Sequence, residues 1–394
     1  MLRLSMQVEG PIVVNRKGQA RIERGHPWVF RSDVLKDGGA SAGAVVRVAG
    51  PRGEPLGFAF WSTRSEIRLR MVERGETLVP DFLRQRIARA LAWRGTVAAG
   101  AEAYRVVHGE GDGLPSLVVD RYGEYLSVQT LSQGTERAKS EIVDVLVELL
   151  KPRGIVERND PKVRTLEGLE QTVSVLHGEV PERVVVSEGD VRLGVDLRGG
   201  QKTGLFLDQR ENHHAARRYA RGHVLDAFCY DGGFALSVAR ESERVTAVDL
   251  SAEALERVRT NAAENGITNV ETRDANVFDL LHELDARGER FDTVILDPPA
   301  FAKSKDAIPK AARGYKQINL RALRILRPGG CLITCSCSYH IHEDDFEAIL
   351  ADAAADARVS VTVVEKRRQA RDHPILLGVP ETYYLKCFVL RRLE

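Results

Sequence analysis

The chain has 394 residues, 43% of them hydrophobic and 29% charged, with a formal net charge of +1. That length accommodates two or three domains with proper cores, and no apolar run approaches the roughly 18 residues that span a bilayer. Five scattered cysteines exclude a disulfide framework. The opening MLRLSMQVEG lacks the apolar core of a signal peptide, so the expected compartment is the cytoplasm, with reduced thiols and no membrane partner.

Residues 1–75 hold the short β-rich runs AVVRVAG, PLGFAFW and EIRLRMV between Gly and Pro punctuation, which predicts a small β-barrel or sandwich. The same stretch carries thirteen Lys and Arg against seven Asp and Glu. Such an excess suits an anionic partner, although a solvated charged face would carry it equally well. Residues 76–188 form a second region that opens with a basic helix, VPDFLRQRIARALAWR. DRYGEY there breaks two alternating runs as a hairpin would, and residues 136–150 place apolar side chains at helical spacing, so this region reads as α+β. From 189 to 394 the strand-like HVLDAF, RVTAVDL, VETRDAN, FDTVILD and CLITCSC alternate with helical stretches such as 252–264 and 310–327. Alternation of that kind predicts an α/β domain with a doubly wound parallel sheet.

VLDAFCYDGGFAL, residues 224–236, reads as a strand, a tight turn and a helix start, with Gly232 and Gly233 letting the backbone approach a ligand. Phe228 and Tyr230 stand where a dinucleotide fingerprint needs earlier glycines, which disfavours a pyrophosphate-bearing cofactor. Asp249 ends the next strand, where a carboxylate accepts from both hydroxyls of a ribose, and Asp274 of RDAN is placed to accept from an adenine amino group. Singly, each acid reads as well as a helix cap. Together, Asp226, Asp249 and Asp274 at successive strand ends suggest a nucleoside without phosphates, S-adenosylmethionine. VILDPPAF holds Asp297 before two prolines, which fix the backbone and remove two N–H groups; a plain strand-ending turn is the alternative. ITCSCSYH sets Cys335 and Cys337 one residue apart, with His340 and His342 just beyond. The familiar redox pair has two intervening residues, and structural zinc sites have separated knuckles, so neither fits well. Period-2 alternation puts both thiols on one strand face, with Cys335 deeper in the apolar run and read as packing.

DAFCYDGGFAL, AVDLS, DPPAFAKSK, RGYKQINL and SCSYHIHEDDF resemble the S-adenosylmethionine-dependent cytosine-carbon-5 methyltransferases of bacterial large-subunit ribosomal RNA, of the RlmI type. The resemblance runs the whole length, since GHPWVFRSDV is similar to that family's N-terminal PUA domain and GLPSLVVDRYGEYLSVQ to its central α+β domain. It implies a PUA barrel over 1–75, a central domain over 76–188, and a Rossmann-like domain with a mostly parallel seven-stranded sheet over 189–394. It further implies that Asp226, Phe228, Tyr230, Gly232 and Gly233 surround the methionine part of the cofactor while Asp249 and Asp274 hold ribose and adenine. Lys202, Asp208 and Arg210 would close the pocket. In the wider group the nucleophilic cysteine precedes an acidic residue by six positions, which selects Cys337 with Glu343, and Asp297, if protonated or sharing a proton with the base, would stabilise charge at ring nitrogen-3. Ala300 stands where related enzymes carry a second cysteine, which leaves the base for the carbon-5 proton unassigned. The implied partner is ribosomal RNA, naked or in an assembly intermediate, and a homodimer is left open. A methyltransferase of exocyclic amines or guanine, and an RNA-binding assembly factor without turnover, are the competing readings.

Overall fold

The structure is a computed structural model that describes residues 7–199, 203–302 and 304–394. The chain divides into two compact units, one of Met1–Val186, Val195–Leu205 and Arg371–Thr382, the other of Ser187–Gly194, Phe206–Ala370 and Tyr383–Glu394.

In the first unit, β1 (Val8–Val14), β2 (Trp28–Phe30), β3 (Val34–Lys36), β4 (Val45–Ala49), β5 (Pro55–Trp61) and β6 (Ile67–Arg74) form one mixed sheet in the order β2-β6-β5-β4-β1-β3. The runs read from sequence as strands are β4, β5 and β6. A short helix that the sequence reading lacked, α1 (Arg16–Glu23), starts where the Asn15 side chain accepts from Gly18 N–H. Alternation along the strands sorts their side chains into two cores. Val46, Val48, Ala59 and Trp61 pack with Ile12 and Leu69. Val45, Phe58 and Phe60 face the other way, onto Phe82, Leu83 and Ile87 of α2 (Phe82–Val97). The N-terminal strands therefore share a buried core with the region that follows them.

That region has β7 (Ala103–His108), β8 (Leu117–Tyr122), β9 (Tyr125–Thr130), β10 (Gly154–Asn159) and β11 (Thr172–Gly178), ordered β11-β10-β9-β8-β7. β8 and β9 are the hairpin expected at DRYGEY, Tyr122 facing Tyr125 across Gly123 at φ 59°. The helical spacing over 136–150 is divided between α3 (Gln133–Arg137) and α4 (Lys139–Leu150), with α5 (Val163–Leu166) after β10. Arg94 of α2, fully buried, makes a bidentate ion pair with Asp112 at 2.6 and 2.7 Å and donates to the Asp372 carbonyl at 2.8 Å. The Asp372 carboxylate in turn accepts from Arg105 N–H at 2.9 Å. A cavity of about 670 Å³ in the N-terminal part is lined by Arg31, Lys36 and Arg68 together with Trp61 and Asp37.

A ribbon of β12 (Val184–Glu188) and β13 (Val191–Val195) leads onward. The second unit then alternates α6 (Arg210–Ala216), β14 (His223–Ala227), α7 (Gly233–Val238), β15 (Arg244–Asp249), α8 (Ala252–Glu264), β16 (Val270–Asp274), α9 (Val277–Ala286), β17 (Phe291–Leu296), α10 (Ile308–Ile325), β18 (Leu326–Ser336), α11 (Glu343–Ala357), β19 (Val361–Arg368) and β20 (Lys386–Arg392). The seven strands run β16-β15-β14-β17-β18-β20-β19, parallel except for β20, which is antiparallel to both its neighbours. Leu225, Val294, Leu296 and Leu332 of the sheet pack on Leu281, Tyr315, Leu323 and Phe346 of the helices. Strand order reverses between β14 and β17, which opens a crevice outside the carboxyl ends of the strands.

Candidate functional site

Five strand ends converge on that crevice. β14 delivers Asp226, followed by a turn in which Phe228 and Tyr230 adopt φ of 68° and 47°, values that side chains other than glycine seldom take. The turn is held by Cys229 N–H to the Val248 carbonyl at 2.9 Å, Gly232 N–H to the Cys229 carbonyl at 2.8 Å, and Tyr230 N–H to Asp249 Oδ2 at 3.0 Å. Gly232 has φ 84°, and a Cβ on Gly233 would lie 2.4 Å from the His213 ring, so both positions demand glycine. Phe206 meets the Tyr230 ring edge-on at 4.9 Å between centroids, and Arg257 lies over its face.

Two of the three acids carry local backbone duties. Asp226 Oδ2 accepts from Ala235 N–H at 2.8 Å and so caps α7, while its Oδ1 is buried with no hydrogen-bond partner. Asp249 accepts from Tyr230 N–H through one oxygen and from Ser251 N–H, at 2.9 Å, through the other. Asp274 lies directly opposite Asp249 in the β15–β16 register and is exposed. An orphaned buried oxygen beside two glycines that exclude side chains fits a bound ligand with donor groups.

Burial pushes the Asp226 carboxyl up to about 7, against the Ala235 hydrogen bond and with help from the charges of Asp297 and Asp249. Because the folded chain holds this proton more tightly than the unfolded one, the stability it contributes is complete below the ordinary value of 3.8 and is lost as pH rises through about 7. Asp226→Asn cannot ionise. Its melting temperature relative to wild type, followed by calorimetry without ligand, is expected to rise by several degrees between pH 5 and pH 8; a constant difference would remove Asp226 from the pH dependence.

Beyond β17, Asp297 accepts from Gln209 Nε2 at 2.8 Å, so a residue that sequence reading did not single out orients this carboxyl. Cys337 stands just past the end of β18, half-buried, and its Sγ–H donates to the Pro298 carbonyl at 3.7 Å. Of the five cysteines it is the one not buried. Cys335 lies inside β18 opposite Cys387, and burial first, then Cys387, push its thiol far up. Cys335 thus lies within the strand and Cys337 one residue past its end. Among the described residues no group of three or more His, Cys, Asp or Glu is arranged to hold a metal. Tyr339 instead packs against the rings of His340 and His342.

The segment before α6 is more structural than its sequence suggested. Asp208 Oδ2 accepts from the Tyr384 hydroxyl at 2.8 Å and its carbonyl from Ala370 N–H at 2.8 Å. Arg210 begins α6 with guanidinium nitrogens buried, and Lys202 lies outside the described residues. His213, also unforeseen, bonds Glu188 at 2.7 Å; burial opposes its protonation, but Glu188 first, then Asp297 and Asp226, raise its affinity for a proton above the ordinary value.

A switch-point crevice with a glycine turn, an acid at each of three successive strand ends and no phosphate fingerprint defines a class I S-adenosylmethionine-dependent methyltransferase. Residues 167–390 match the S-adenosylmethionine-dependent methyltransferase family, and residues 12–74 match a PUA-like domain. A ribosomal RNA large subunit methyltransferase I from Photobacterium profundum is 42% identical over 384 residues, covering 94% of this chain and 97% of the relative. One from Klebsiella pneumoniae is 40% identical over 392 residues, covering 97% and 98%. The chain belongs to the ribosomal RNA large subunit methyltransferase I family, and its cofactor is S-adenosylmethionine. Among solved structures, an S-adenosylmethionine-dependent methyltransferase from Streptococcus mutans has the same fold, with a TM-score of 0.82 over 97% of this chain and 99% of that chain at 20% identity.

Proposed function

We propose that this enzyme methylates carbon-5 of a cytidine in large-subunit ribosomal RNA, in the bacterial cytoplasm, through a covalent adduct on Cys337. The observation that carries the reading is the placement of the one cysteine that is not buried at the end of β18, with its sulfur on the Pro298 carbonyl of the loop that presents Asp297. Carbon-5 of cytosine is a poor nucleophile, because direct methylation would sacrifice ring conjugation. The Cys337 thiolate adds to carbon-6 and makes carbon-5 enamine-like. Asp297, oriented by Gln209, acts in its protonated form, sharing its proton with ring nitrogen-3 and so stabilising the negative charge that develops there. S-adenosylmethionine supplies the electrophilic methyl group on its sulfonium. Loss of the carbon-5 proton then returns the electron pair that expels Cys337 and restores the ring.

The residues that would hold the cofactor are Phe228, Tyr230, Gly232 and Gly233 of the turn, with Asp226 for the methionine part, Asp249 for the ribose and Asp274 for the adenine. The names of the curated relatives support ribosomal RNA as the substrate, as does the cavity lined by Arg31, Lys36 and Arg68 within the residues that match a PUA-like domain. Nucleoside analysis of ribosomal RNA methylated by the purified enzyme is expected to yield 5-methylcytidine. A methylated exocyclic amine or guanine in its place would overturn the reading.

A further inference from the structure

Ser338, the residue after Cys337, is gripped from three elements. The Ala302 N–H donates to its Oγ at 3.1 Å, the Tyr315 hydroxyl of α10 meets the same oxygen at 2.9 Å, and Lys386 Nζ of β20 donates to its carbonyl at 2.7 Å. Lys386 faces Ser336 in the β18–β20 register and is 1% exposed. A second ammonium proton goes to the Tyr384 carbonyl at 2.9 Å. Both acceptors are neutral carbonyls, and among the described residues this ammonium makes no ion pair.

A buried charge without a counter-ion is costly and calls for a negative group nearby. The charged and titratable groups that face Lys386 are Cys337 beyond β18, Glu343 and Asp345 at the start of α11, and Arg368 opposite it on β19. The two acids are engaged elsewhere: Glu343 takes the Tyr383 hydroxyl and pairs with Lys366, and Asp345 accepts from His342 N–H. Arg368 is exposed and of like sign. Both acids still act on the ammonium through their charge, as does, foremost, the sulfur of Cys337, in the residue next to the Ser338 carbonyl that Nζ holds at 2.7 Å. Resting on the reading of Cys337 as nucleophile, we propose that Lys386 is its positioning residue, a buried cation against which the thiol ionises while the same Nζ fixes the backbone of Ser338. Burial brings the Lys386 ammonium down to about 8, with the Cys337 charge acting in the opposite sense, so the lysine is still a cation near neutral pH.

The test is the pH dependence of iodoacetamide alkylation on the full-length enzyme, with the modified peptide mapped by mass spectrometry; the other four thiols are buried. Wild-type Cys337 is expected to reach half its maximal rate at least about one unit below 8.5, the ordinary thiol value. Lys386→Met should move that midpoint up by about one unit and slow alkylation at pH 7 by roughly three- to tenfold, the lower figure allowing for the greater nucleophilicity of a more basic thiolate. Lys386→Arg should retain the wild-type midpoint. An ordinary midpoint in the wild type, an unchanged midpoint in Lys386→Met, or equal shifts in the Met and Arg variants would each overturn the proposal, and the first needs no variant to fold. Alkylation reads ionisation alone, whereas trapping on 5-fluorocytidine RNA reads the nucleophile, so either result can fail without the other.

Discussion

RNA carrying 5-fluorocytidine is expected to be methylated once by this enzyme and then to remain attached to it through Cys337. Release of the thiol requires loss of a proton from carbon-5, and fluorine cannot leave as a cation, so the adduct stops one step short of product. It should survive denaturing electrophoresis and, after digestion, map to Cys337. Cys337→Ala should form none and lose at least about four orders of magnitude in turnover, as enzymes do when a covalent nucleophile is removed, while still binding cofactor. Cys335→Ala should still form it. That thiol is sealed between β18 and β20 opposite Cys387, so its replacement costs packing and not chemistry. Attack on an exocyclic amine predicts no adduct with any variant, and a trapped peptide containing Cys335 would reverse the assignment.

The second large effect is expected at Asp249. Its alanine variant should bind S-adenosylmethionine about 2 kcal/mol more weakly, roughly a thirtyfold loss, from charge-assisted hydrogen bonds to the ribose. The geometry adds a contribution that ribose contacts alone lack. The carboxylate also ties Tyr230 N–H and Ser251 N–H, at 3.0 and 2.9 Å, so alanine releases the turn at the same time as it removes the ribose acceptor. Asp249→Asn keeps one acceptor and should fall between the two. Titration calorimetry that finds unchanged affinity in the folded alanine variant would remove Asp249 from the site.

What was legible in the sequence, and what was not, follows from range. Strands β14, β15, β17 and β18 are short apolar runs ended by an acid or a turn, so local pattern suffices to place Asp226, Asp249 and Asp297 at strand ends. Three successive strand-end acids also foretold a shared crevice, although not that Asp226 would cap α7 with one oxygen and leave the other buried and unmatched. Gln209, His213 and Lys386 escaped notice because their roles are defined by partners at 297, 188 and 338, far along the chain. Lys386 opens the apolar KCFVL, where a lysine at a strand's start ordinarily points to water; only the antiparallel seating of β20 between β18 and β19 buries it. The apolar run that set both thiols on one strand did not show where the strand stops, since β18 ends at Ser336, one residue short of Cys337.

Arg371–Thr382 count with the first unit, although the residues on either side count with the second. On a ribosome this has a temporal meaning. Arg94 emerges early and can pair with Asp112 at once, but the Asp372 carbonyl that completes its hydrogen bonding, and the Asp372 carboxylate that meets Arg105 N–H, are synthesised more than 260 residues later. The N-terminal unit therefore waits with an unfilled berth while nearly the whole methyltransferase sheet is translated. A chain released before residue 371 would keep that vacancy permanently, and a single proteolytic cut between the units would not free either of them whole.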